Sequence, residues 1–94
     1  MTASRSQAYG RLINTLEEMP ATKLHPHELE LLRDAADTML FTSDPSEARR
    51  ARRNATELAA RLVEYGRWDE ETSKAVLRDL WSCGHLPIVL RAAA

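Results

Sequence analysis

Ninety-four residues, 44% hydrophobic and 29% charged, are the size and composition of one folded domain with a small core, which leaves little room for a large catalytic cleft. Thirteen Lys and Arg against fourteen Asp and Glu leave a net charge of −1, without the basic excess of a chain whose main partner is nucleic acid. The single cysteine, Cys83, excludes an intramolecular disulfide framework, and MTASRSQAYGRLINTL reads as neither a secretory leader nor a membrane span, so a cytoplasmic setting without membrane contact is expected.

Five aromatic residues, few β-branched ones and an abundance of Ala, Leu, Arg and Glu favour helix over sheet. At about 100° per residue, Ala8, Tyr9, Leu12, Ile13, Leu16 and Met19 share one side of a first helix, with Arg11, Asn14, Glu17 and Glu18 opposite. Pro20 stops it, because the residue before a proline is pushed out of the α region. A second helix opens at His25-Pro26-His27-Glu28, where Pro26 suits the first helical position and Glu28 the positive end of the dipole. Leu29, Leu32, Ala35, Ala36, Met39 and Leu40 form its apolar face, with Leu31 and Phe41 toward the edges.

The third helix carries the fullest punctuation. Asp44 is its N-cap, Pro45 its first residue and Glu47 a carboxylate at capping-box spacing. Ala48, Ala51, Ala55, Leu58, Ala59 and Leu62 form a stripe whose small side chains imply close approach of another helix, and Gly66 supplies a left-handed terminator. Asp69 caps a fourth helix with Val76, Leu77, Leu80, Trp81 and Cys83 on its apolar side, and Gly84 is expected to end it. The segment HLPIVLRAAA then reads as an extended apolar strap or a fraying end. Residues 1–94 are therefore expected to form a single all-α domain, with helices over about 5–19, 26–41, 45–65 and 70–83 and a tail over 85–94. Short connections favour an antiparallel up-down four-helix bundle with an apolar C-terminal strap.

Arg49, Arg50, Arg52 and Arg53 crowd the start of the third helix on the face away from the alanines. They suit phosphates or an acidic partner, although Glu47 and Glu57 stand at helical spacings that would neutralise them as a solvated face. Cations near a helix N-terminus oppose the dipole, so the placement is not one that helix stability selects. A helix-turn-helix across the third and fourth helices fits poorly. Arg61 and Arg67 fall where apolar residues belong, and Asp69, Glu70 and Glu71 open the reading helix with the wrong charge, ahead of Lys74 and Arg78.

Two zinc-type pairs, His25-x-His27 and Cys83-x-His85, fall at opposite ends of an up-down bundle and so cannot share an ion. The carboxylate pairs Glu17/Glu18, Asp34/Asp37 and Glu70/Glu71 lie on solvent faces, and the apolar stripes hold almost no inward polar group to line a pocket. No catalytic residue, metal site, cofactor or small-molecule substrate is expected. Trp68, Trp81, Ile88 and Leu90 either seal the core or dock a protein partner or a second copy. The expected function is a non-catalytic helical interaction or regulatory module, with Arg49, Arg50, Arg53, Trp68, Trp81, Ile88 and Leu90 as its candidate surface. The alternative is a nucleic-acid-associated subunit that contacts the phosphate backbone through the Arg49–Arg53 cluster.

Overall fold

A computed structural model describes residues 3–84, which form four α-helices and no strand: α1 (Ala3–Glu18), α2 (Pro26–Phe41), α3 (Pro45–Glu64) and α4 (Glu70–Cys83). Each helix buries the side that its periodicity selects. Ala8, Leu12 and Leu16 of α1 and Leu32, Ala35, Ala36, Met39 and Leu40 of α2 are buried, and so are all six members of the α3 stripe. From α4 come Val76, Leu80 and Cys83. α1 lies chiefly against α4 and α2 chiefly against α3, while α2 and α3 also both meet α4; among the described residues the backbones of α1 and α3 do not approach closely. The alanines of α3 let its neighbours approach closely, and the apolar faces together close one core, the arrangement of a small helical bundle.

The ends are set by local chemistry. Asp44 accepts a hydrogen bond from the Ser46 N–H at 2.8 Å, and Asp69 accepts one from the Thr72 N–H at 2.7 Å, so both predicted caps satisfy an orphan donor. Gly66 has φ +78°, the left-handed region. Around it the Gly66 N–H meets the Val63 carbonyl and the Arg67 N–H the Leu62 carbonyl, both at 3.0 Å, which is the Schellman closure of α3.

Gly84 ends α4 as expected, as its C-cap, but by a different geometry from Gly66. Its φ of −79° and ψ of 156° are extended, so it does not end α4 through a left-handed turn. A Cβ there would fall 2.8 Å from Met39 Cε, the mobile end of a flexible side chain that can give way. Glu47 departs from expectation. Its carboxylate accepts from the Thr42 hydroxyl at 2.6 Å, and Thr42 Oγ1 in turn accepts the Asp44 N–H at 3.0 Å, so Thr42 stands between the two members of the expected capping box.

Two core members come from connections, where no helical period marks them. Leu24, between α1 and α2, is 5% exposed, and Trp68, between α3 and α4, is 3% exposed. Arg5 at the start of α1 donates from Nε to the Cys83 carbonyl at 3.1 Å and from Nη2 to the Leu40 carbonyl, tying the last turns of α4 and α2 together. A cation there also meets the negative ends of two helix dipoles.

Candidate interaction surface

The arginines of α3 separate onto three sides of the helix. Arg50 turns toward α2 and lines an open groove of about 400 Å³ with Leu31, Asp34, Thr38, Glu47 and Asn54 above a floor of Ala35 and Ala51. Arg52 turns toward α4, half-buried, with its guanidinium 4.6 Å from the centroid of the Trp81 ring. That stacking explains why Trp81 is only half-exposed at the edge of its stripe, and it joins Arg52 of the arginine cluster to the candidate residue Trp81. Arg49 and Arg53 are exposed.

The neutralising pairs expected along α3 do not form. Arg11–Asp79, Arg33–Glu17 and Arg67–Glu28 pair elsewhere in the bundle, and among the described residues no side chain of α3 forms an ion pair. Glu47 is engaged by Thr42, and Glu57 makes no ion pair with Arg53. Arg49, Arg50 and Arg53 therefore present three guanidinium groups to solvent without a carboxylate within ion-pair distance.

Trp68 leaves the candidate surface. Its ring is buried in the core, and its buried Nε1 has no hydrogen-bond partner among the described residues. Ile88 and Leu90, with the strap expected over 85–94, lie outside the described residues.

A second polar feature gathers at the loop end formed by the α1–α2 and α3–α4 connections. Glu28 is 7% exposed and accepts from Arg67 twice, Nη1 to Oε1 at 2.9 Å and Nη2 to Oε2 at 2.8 Å. The backbone N–H of His25 adds a third bond to Oε1 at 2.8 Å. Hydrogen bonding to Arg67 holds the Glu28 carboxyl below its ordinary range despite its burial. Among the described residues Glu28 is the one buried polar or charged side chain, in keeping with the expectation that the stripes hold almost no inward polar group. Glu28 serves the helix start as predicted, but it also faces inward because a cation from the α3–α4 loop meets it. His25 and His27 stand beside it, exposed, with ring centroids 5.8 Å apart. Nearby, Met19, Lys23, Gly66, Arg67, Trp68, Asp69 and Thr72 line a cleft of about 330 Å³.

All six members of the carboxylate pairs are exposed, and Asp37 accepts a hydrogen bond from the Tyr9 hydroxyl, which raises the Tyr9 phenol above its ordinary value. Cys83 is fully buried; its thiol donates to the Asp79 carbonyl at 3.3 Å, and burial, reinforced by Asp79, pushes its pKa up to about 11. That is the opposite of what a nucleophilic thiolate needs. No helix among the described residues is long and apolar enough to cross a membrane. No protein-family profile, curated protein or solved structure matches the chain.

Proposed function

We propose that this protein is a non-catalytic helical interaction module that holds an acidic segment of a protein partner on α3. Arg49, Arg50 and Arg53 supply the charge, and Trp81 under Arg52 forms the α4 border of the surface. The observation that carries this reading is the absence of ion pairs at Arg49, Arg50 and Arg53 while the nearest expected carboxylate, Glu47, is engaged by Thr42. Arginine is suited to the role because its planar fork meets carboxylates bidentately and loses little hydration on docking.

The reading includes a rigid up-down antiparallel scaffold in a cytoplasmic setting. Three contacts support the antiparallel arrangement: Arg5 at the start of α1 reaches the last residues of α2 and α4, Arg67 after α3 reaches the first turn of α2, and Arg52 early in α3 covers Trp81 late in α4. Self-association is the competing use of the same face.

The test compares wild type with Arg49→Glu/Arg50→Glu/Arg53→Glu by capture from the source cell and by mass in solution. A partner retained by wild type and lost by the triple variant supports the reading. A strictly monomeric protein that retains nothing, or a partner bound equally by both, overturns it. A nucleic-acid reading is favoured by Lys74 and Arg78, which are exposed on α4 beside α3. It requires duplex or single-stranded binding that weakens steeply with salt and is lost in the same variant.

A further inference from the structure

Three metal-ligand side chains meet where α2 begins. His25, His27 and Glu28 each bring one ligand atom into a group whose members all lie within 4.8 Å of one another. A single helical turn assembles them, because His25 precedes Pro26 at the first helical position and Glu28 turns back toward the His25 N–H. The two imidazoles are open to solvent, where water can complete a coordination shell, and the carboxylate is the buried member.

We propose that His25, His27 and Glu28 form a binding site for one divalent transition-metal ion of the zinc class. Two imidazole nitrogens and one carboxylate suit zinc, nickel or copper, whereas calcium and magnesium demand oxygen ligands throughout. Glu28 has the outer support that ligating carboxylates use. Arg67 and the His25 N–H fix its orientation; Oε1, 3.9 Å from His25 Nδ1, already accepts two hydrogen bonds, whereas Oε2 accepts only the Arg67 Nη2 bond, so the lone pair left for an ion is on Oε2. Two forces act against the ion: the positive end of the α2 dipole and the Arg67 guanidinium that shares the carboxylate. The site is therefore a moderate one in affinity. The ligand set also differs from the pairing of His25-x-His27 with Cys83-x-His85, since Cys83 packs beside Leu40 at the far end of α2 from His25.

Calorimetric titration of the full chain with zinc chloride, and separately with calcium and magnesium chlorides, tests the proposal. Saturable binding of one zinc per chain is expected, without response to the other two. Cys83→Ala should keep the binding; Glu28→Gln should weaken it at least about 10-fold, and His25→Asn or His27→Asn by more. Substoichiometric Cu²⁺ should broaden the imidazole proton resonances of His25 and His27 before that of His85. Absence of zinc binding up to about 1 mM overturns the proposal. So does an unchanged affinity in either histidine variant, which are surface positions where folding is not at stake, or in a folded Glu28→Gln. Loss of binding in Cys83→Ala, or broadening centred on His85, places the ion elsewhere and equally overturns it.

Discussion

Arg67 grips both oxygens of Glu28, at 2.9 and 2.8 Å, across thirty-nine positions of sequence, and so ties the loop after α3 to the first turn of α2. The Arg67 guanidinium also lies 5.9 Å from the Tyr65 ring, so the loop that leaves Gly66 is held from two sides. Charge-assisted bidentate bonds of this kind at a largely buried carboxylate carry more than surface ion pairs such as Arg11–Asp79 or Arg33–Glu17.

Glu28→Ala should cost about 2–3 kcal/mol in urea unfolding, because it removes the helix-start bond to His25 and leaves a cation facing a desolvated site. Glu28→Gln, which keeps part of the hydrogen bonding, should cost less. Equal stability of Glu28→Ala and wild type would show the pair to be incidental.

Stability should also fall with acid through this group. The folded Glu28 carboxyl titrates below its ordinary 4.5, so its contribution is fully present above that value and is lost as pH falls through the lower folded pKa. Asp69, held low by the Thr72 N–H and hydroxyl, acts with the same sign. Urea midpoints of wild type and Glu28→Gln should therefore converge as pH drops below about 4.5, with a residual acid slope in the variant from Asp69.

Gly66→Ala should destabilise by about 1 kcal/mol. Nothing stands within 4 Å of the added methyl, so the whole effect comes from forcing an L residue to φ +78°. Gly66→Asn should lose less, since asparagine tolerates that region. A neutral Gly66→Ala in thermal unfolding would mean that the Schellman closure relaxes freely.

Ala55 is 0% exposed in the middle of the α3 stripe. Enlarging it in Ala55→Leu should cost about 1–3 kcal/mol or more, because the neighbouring helices must separate. Exposed Ala60 provides the control, where leucine should leave the unfolding midpoint nearly unchanged.

Cys83 should resist thiol reagents in the folded state. With a pKa pushed to about 11 and no exposed surface, it offers roughly one thiolate in a thousand at pH 8, and no path to it. Ellman's reagent should react at the rate of unfolding and become fast in denaturant. Rapid reaction of the native protein would require an opening of the α1–α4 contact.

What could be read from residue order alone is what a helix decides locally. The 3.6-residue period marked every buried member of α3, Asp44 and Asp69 announced their caps, and Gly66 announced a left-handed end, because each depends only on neighbours within a turn or two. Contacts between distant segments carry no such period. The pairing of Glu28 with Arg67, the reach of Arg5 to the ends of α2 and α4, and the burial of Leu24 and Trp68 out of their loops were settled by which helices became neighbours. The arginines show the division within one block: their crowding is a property of sequence, whereas the turn of Arg50 toward α2 and of Arg52 onto Trp81 came only when α3 packed against its neighbours on both sides.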